Sequence, residues 1–301
     1  MSDENPTASS MTDADQRKLR NSMLAAKQAA ESGQVQPIDS QQYAAQELGL
    51  DIPVDAVPLP SGGKVYPVGH ALHGKDRVEF RAMTAREEDI LMSRAYIKRG
   101  TVITELIKSC LMDKGVNVNE MVSGDRNALM VAIRVSGYGR EYEPSFNCPS
   151  CEVQTDLKID LADLGIKPLE IEPAGPFENR FYFQLPLTKK TVGFRFLTGE
   201  EEEKILKTLE VKKKKGIQND NLVTTRLMSS IVEIDGVTDR NQISKFVHFM
   251  PARDSLALRK YIDKHEPGVD MTVEFMCQNC DHVADITLPM GPTFFWPNAR
   301  S

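Results

Sequence analysis

Four of the five cysteines in this 301-residue sequence stand in two C-x-x-C pairs, Cys148-Pro149-Ser150-Cys151 and Cys277-Gln278-Asn279-Cys280. Two thiolates at this spacing can grip one zinc ion from a tight turn. A structural zinc site takes four ligands, so each pair is half a site. Together they predict one structural zinc held jointly by Cys148, Cys151, Cys277 and Cys280. Halves of such sites usually lie roughly 15–20 residues apart, whereas here the second pair begins 129 residues after the first. Two other readings stay open. The pairs are metal-free turns that retain cysteines, or His282 completes the second half-site, although Val153 holds the matching place in the first copy. A thioredoxin-like redox pair needs a helix N-terminus to stabilise its thiolate. Both pairs follow strand patterns instead. Cys110 stands alone in an apolar helical stretch and reads as a small core residue.

The elements that must carry these cysteines repeat with them. At the same offset of 129, Asp125, Ala128, Leu129, Ile133 and Phe146 fall on Asp254, Ala257, Leu258, Ile262 and Phe275. Asp156 and Pro168 likewise fall on Asp285 and Pro297. Further upstream the offset becomes 114, matching Lys75, Val78, Phe80, Arg81, Thr84 and Glu87 with Lys189, Val192, Phe194, Arg195, Thr198 and Glu201. Such ordered self-similarity is the mark of a module used twice. In each copy an alternating strand leads to a capping box, Thr84 with Glu87 and Thr198 with Glu201. The first copy predicts helices from that box toward Lys98, over 102–112, and from Asp125 to Val135. The second predicts them over 199–213, 222–231 and 252–264, with an insertion over 233–251 that carries an Asp235-Gly236 hairpin signal. Each copy ends in a β-hairpin with cysteines at its tip. Phe181-Tyr182-Phe183 reads as a further strand beside the one at Val192.

The predicted fold class is α+β: an internally duplicated module of strand, helical cluster and cysteine-tipped hairpin, preceded by a flexible N-terminal arm. The expected divisions are residues 1–58 as a mobile polar and helical arm with linker, 59–167 as the first module, 168–188 as connector, and 189–301 as the second module with an aromatic tail. The arm is poor in aromatics, and its stripe of Leu19, Met23, Leu24 and Ala26 is too thin for a core. Pro53, Pro58 and Pro60 mark an extended linker, and Ser61-Gly62-Gly63 a turn. Phe294-Phe295-Trp296-Pro297 reads as a plug over the core or an anchor for another chain.

No apolar run approaches the roughly 20 residues of a membrane span, and no signal peptide is recognised, so a reducing compartment is expected, where disulfides are disfavoured. The formal net charge of −6 argues against nucleic acid as the main partner. Gly137-Tyr138-Gly139 follows a helix and lacks the third glycine of a dinucleotide fingerprint, and Ser61-Gly62-Gly63-Lys64 lacks P-loop spacing. Lys212 to Lys215 reads as a solvated helix end. With no catalytic constellation the chain reads as a binding or assembly protein rather than an enzyme. The alternative is a zinc-ribbon nucleic-acid-binding protein, which a basic face around the hairpins would favour.

One set of segments also carries a family likeness. Leu59-Pro60-Ser61-Gly62-Gly63-Lys64-Val65-Tyr66-Pro67, Phe80-Arg81-Ala82-Met83-Thr84-Ala85 with Glu87-Glu88, Gly124-Asp125, Gly137-Tyr138-Gly139 and the cysteine hairpin resemble the baseplate protein family of T-even-type contractile-tailed bacteriophages. The resemblance covers residues 58–165 well and the second half more loosely, and it leaves out the first fifty residues. That family includes a hub assembly protein. The resemblance implies a non-enzymatic role in building the baseplate hub during virion morphogenesis. Its partners would be other baseplate or tail hub proteins, and its location the host cytoplasm during assembly or the virion tail baseplate. It supplies no catalytic residues.

Overall fold

The computed structural model describes residues 49–214 and 221–295. The arm before Gly49, Lys215, Trp296 and Pro297 lie outside the described residues. The chain divides after Ile52, and every element named below belongs to the unit that starts at Pro53.

Strand β1 (Val54–Pro58) pairs antiparallel with β2 (Arg77–Arg81), so the proline-flanked segment read as linker is a strand. A turn-rich loop joins the two, and Gly63 makes it close. Its φ is +69°, and an added Cβ would lie 2.4 Å from the Lys75 carbonyl oxygen, a position only glycine fills without strain. Helix α1 (Ala85–Met92) starts at the predicted capping box. It ends early, at Ser93, whose extended backbone (ψ 108°) separates it from α2 (Arg94–Arg99). Gly100 then closes α2 in the left-handed conformation. Helices α3 (Val102–Cys110) and α4 (Ser123–Tyr138) follow, both with strongly buried faces. Short antiparallel pairs come next: β3 (Glu141–Tyr142) with β6 (Ile159–Asp160), β4 (Ser145–Asn147) with β5 (Gln154–Asp156), and β7 (Ile166–Lys167) with β11 (Gly268–Val269).

The second half opens with the strand expected at Phe181. This strand, β8 (Phe181–Gln184), pairs with β9 (Thr191–Phe194), placing Phe183 opposite Val192. A third strand, β10 (Ile231–Ile234), completes the sheet in the order β10-β9-β8. Helices α5 (Gly199–Lys214) and α6 (Leu222–Ser230) lie between β9 and β10 in the chain. The insertion turns at Asp235-Gly236, where Ile234 bridges Val237, and then forms α7 (Arg240–Phe249), a helix not foreseen. Its start is fixed by Asp239, whose side chain accepts from the Gln242 N–H at 2.9 Å. Helix α8 (Ala252–His265) leads to the hairpin of β12 (Thr272–Met276) and β13 (Val283–Thr287). Helices combined with small antiparallel sheets make the protein α+β, as predicted.

Several carboxylate contacts occur in matching form in the two halves. Glu87 is fully buried and accepts from Arg81 Nη1 (3.0 Å) and Nη2 (2.8 Å), from the Thr84 N–H (2.9 Å) and Oγ1 (2.7 Å), and from Ser109 Oγ (2.6 Å). Glu201 accepts from Arg195 through both Nη atoms and from the Thr198 N–H (3.0 Å) and Oγ1 (3.2 Å). In the first turn of α4, buried Asp125 accepts from the Ser61 N–H (2.9 Å), Ser61 Oγ (2.5 Å) and the Tyr66 hydroxyl (2.7 Å). In the first turn of α8, Asp254 accepts from the N–H groups of Leu187 (2.7 Å) and Thr188 (3.0 Å). Both carboxylates fasten a loop that has just passed a Leu-Pro pair, Leu59-Pro60 or Leu185-Pro186. Phe80 bridges Leu111 as Phe194 pairs with Ile231.

One apolar core runs through the unit, from Phe80, Leu106 and Ile133 to Phe181, Phe194 and Leu258. Phe294 and Phe295 are fully buried in it. The Phe294 ring meets Tyr142 edge-on at 5.1 Å, and its carbonyl accepts from Arg134 Nε at 3.2 Å. For these two residues the plug reading holds. Cys110 is in the same core, where burial pushes its thiol up to about 12, so it is inert packing. Gly124 lies against Pro267 so closely that a Cβ would come 1.7 Å from the Pro267 carbonyl oxygen.

Candidate metal centre

The same local chemistry builds both hairpin tips. In the first, Asn147 of β4 faces Gln154 of β5, and the six residues between them form the turn. The Cys148 N–H donates to the Val153 carbonyl (2.9 Å) and the Glu152 N–H to the Cys148 carbonyl (2.9 Å). In the second, Met276 faces Val283. The Cys277 N–H donates to the His282 carbonyl (2.9 Å) and the Asp281 N–H to the Cys277 carbonyl (3.0 Å). The residue after each second cysteine is left-handed, with φ of 60° at Glu152 and 55° at Asp281. That reversal returns the chain to its strand and leaves both sulfurs of a pair on one side of the turn.

The two tips meet. Cys148 Sγ lies 3.7 Å from Cys280 Sγ, and Cys151 Sγ lies 3.6 Å from Cys277 Sγ. All four sulfurs fall within 4.8 Å of one another. A disulfide needs about 2.05 Å, so these are free thiols. Tetrahedral zinc with bonds of about 2.3 Å sets its sulfurs about 3.8 Å apart, close to the two shorter separations. The donor set therefore fits a metal ion. His282 contributes its backbone carbonyl to the turn and no ring atom to the cluster. Neither pair sits at a helix N-terminus, as the strand patterns implied.

The surroundings suit thiolates. The Ser150 N–H points at Cys148 Sγ (3.4 Å) and the Asn279 amide at Cys151 Sγ (3.6 Å). Backbone N–H groups of Asn279 and Cys280 favour the Cys277 thiolate and hold it down to about 6. The N–H of Val153, then the Asn279 amide, lower Cys151. Cys280 goes the other way. The His282 N–H favours its thiolate, but the crowding of Cys151, Cys277 and Cys148 drives it up to about 12. Four sulfur anions this close repel one another, and a dication at their centre removes that repulsion.

Beneath the sulfurs lies a small separate core. Cys148, Phe275 and Cys277 are buried together, with Phe146, Cys151, Leu157 and Ile286 packed around them. The matched Phe146 and Phe275 were visible in the sequence as a repeat, but nothing there marked them as the floor of a site. Asn279, the x residue whose amide crosses to the opposite hairpin, was also missed, because C-x-x-C spacing leaves the x positions free.

A polar cavity of about 380 Å³ lies elsewhere, lined by Arg126, Lys167, Glu202, Glu203, Arg226 and Glu266 among others. Arg126 pairs with Glu203 and Arg226 with Glu202. Burial, then the neighbouring Glu202, pushes the Glu266 carboxyl up to about 7. Among the described residues no helix is long and apolar enough to cross a membrane.

A protein-family model described as "T4 bacteriophage base plate protein" matches residues 55–296. The matched span takes in both cysteine hairpins and every strand and helix from β2 onward. Comparison with curated proteins and with solved structures returns no match.

Proposed function

The chain belongs to the family of T4-type phage baseplate proteins, and from that premise we propose that it acts in assembling the baseplate hub through protein–protein contacts, without catalysis. The family assignment itself supports a structural role in the phage baseplate. The observation that carries the finer reading is that the match extends over both halves. The one clustered donor set found among the described residues is a closed set of four thiols. Four sulfurs leave no open coordination position for a substrate, which is the signature of a structural rather than a catalytic metal.

In this reading Cys148, Cys151, Cys277 and Cys280 hold one zinc ion that staples the end of residues 59–167 to the end of residues 189–301, across a connector at 168–188. The paired contacts of Glu87 and Glu201, and of Asp125 and Asp254, support an origin by internal duplication. Assembly takes place in the host cytoplasm, and the partners are other hub or tail proteins. The test is a phage lacking this gene, together with affinity recovery of the tagged chain from infected cells. Tails should stop at the baseplate stage and hub proteins should co-purify. Normal tails with failed phage transcription or replication would overturn the reading in favour of nucleic-acid binding.

A further inference from the structure

Two sulfur contacts of 3.6–3.7 Å join one hairpin to the other, and each joins a buried sulfur to a more accessible one. Cys280 is exposed and faces buried Cys148, while half-buried Cys151 faces buried Cys277. The polar neighbours cross in the same sense. The Asn279 amide reaches Cys151 from the opposite hairpin, and Thr155 Oγ1 lies 3.9 Å from Cys277 Sγ. Meanwhile the turn hydrogen bonds at Val153, Glu152, His282 and Asp281 hold the backbone of each pair fixed around its own chelate.

We propose that this cluster is an oxidation site. A hydroperoxide converts it into two disulfides between the hairpins, Cys148–Cys280 and Cys151–Cys277, with release of the metal. The proposal rests on the metal reading above for the resting state, and its pairing on the two sulfur contacts of 3.6–3.7 Å between the hairpins. The chemistry balances in two equal rounds. Exposed Cys280 gives up its thiol proton as its sulfur attacks the peroxide, breaking the O–O bond and becoming a sulfenic acid while the other oxygen takes a proton and leaves as water or alcohol. The Cys148 thiolate then attacks that sulfur, forming the S–S bond and expelling hydroxide, which takes a proton to become water. Two electrons pass from the sulfur pair to one peroxide. The second round does the same at Cys151, with Cys277 as the resolving thiolate. Four thiolates are consumed, so a dication held by these cysteines would lose all of its ligands. Each sulfur pair must close from 3.6–3.7 Å to about 2.05 Å, a shift of side chains within turns that already touch. The product is a covalent staple in place of the metal one.

The experiment uses the full chain purified without chelator. Metal content is measured first. The protein is then treated with stoichiometric hydrogen peroxide, remaining thiols are alkylated, and the non-reduced digest is mapped by mass spectrometry. A parallel sample is stripped with chelator before oxidation. The expected result is a mass loss of about 4 Da, two hydrogens per disulfide, and peptides that join the 148–151 segment to the 277–280 segment. Metal should be released in step. The Cys151→Ser/Cys277→Ser double variant should still close Cys148 to Cys280. The Cys148→Ser/Cys280→Ser variant should close the other pair. Disulfides confined within each C-x-x-C, or sulfinic and sulfonic acids without cross-links in the wild-type chain, would overturn the proposal. A chain that carries no metal yet gives the crossed disulfides would defeat the metal reading and leave this one standing. A chain that carries metal and gives no crossed disulfides would do the reverse.

Discussion

Substituting Glu87→Gln and Glu201→Gln makes one chemical change at two matched positions with different burial. Glu87 and Arg81 are both fully buried side chains. Removing the charge of Glu87 takes away the carboxylate that accepts from both Nη atoms of the buried Arg81 guanidinium, which also donates to the carbonyls of Ala82 (3.1 Å) and Ser109 (3.1 Å). Breaking a buried pair of this kind costs about 3 kcal/mol. At the second position the side chains of Arg195 and Glu201 are 23% and 28% exposed, water screens the pair, and the loss is about 1 kcal/mol. For a unit of this size, about 3 kcal/mol lowers Tm by roughly 6–12 °C and about 1 kcal/mol by roughly 2–4 °C. Thermal unfolding followed by circular dichroism reads both. Acidity gives a second check. Hydrogen bonds from Arg81, Ser109 and Thr84 outweigh the effect of burial and hold Glu87 down at about 2, against an ordinary 4.5. A depressed carboxylate stabilises the fold above its ordinary value and loses that contribution as pH falls toward 2. The gap between wild type and Glu87→Gln should therefore be full at pH 7 and shrink steadily below pH 4.5. Equal losses at the two positions, or a gap that acid leaves unchanged, would refute the reasoning.

Other outcomes follow from single contacts. Gly124→Ala forces a Cβ to within 1.7 Å of the Pro267 carbonyl and should cost about 3 kcal/mol. Gly236→Ala meets open space at φ +82° and should cost about 1 kcal/mol, and urea titration of both variants separates the two effects. Asp125→Ala leaves the buried donors of Ser61 and Tyr66 without their acceptor and should lower stability by about 3 kcal/mol in the same titration. Glu266 has a raised folded value near 7, so its native carboxyl keeps a proton that the unfolded chain has lost, and stability falls as pH rises from about 4.5 to about 7. Glu266→Gln should therefore gain about 3 kcal/mol over wild type at pH 8 and almost nothing at pH 4.5, measured by paired denaturation curves. Glu152→Gly relieves a left-handed backbone at φ 60° and should raise Tm by about 2 °C.

What could be read from the residues was either local or repeated. The capping boxes at Thr84 and Thr198 were legible because their chemistry closes within three residues. The four cysteines were legible as a set because a fixed offset tied the two pairs together, even though their separation hid any direct contact. Strand β8 was visible because Phe181 and Phe183 stand beside a matched strand. The misses were non-local. Strand β1 read as linker because its flanking prolines signal a break, and only pairing with β2 across residues 59–76 makes it a strand. Ile231–Ile234 fell at the end of a helical pattern, and its strand state depends on the edge of β9. Helix α7 lay inside a segment taken for a simple insertion. The buried partners of Asp125 come from Ser61 and Tyr66, on a loop that sequence spacing does not connect to α4. The repeat did flag Asp125 and Asp254 together, and their shared task of fastening a loop became clear only with the hydrogen bonds in view.

The central claim is that the two cysteine hairpins together form one four-cysteine metal site. Native mass spectrometry of the full chain, purified without chelator, tests it in one spectrum. The expected mass is that of the polypeptide with one zinc ion in place of two protons, and Cys148→Ser and Cys277→Ser should each weaken retention of the same single ion. A metal-free chain, or one that holds an ion in each hairpin independently, would contradict the account.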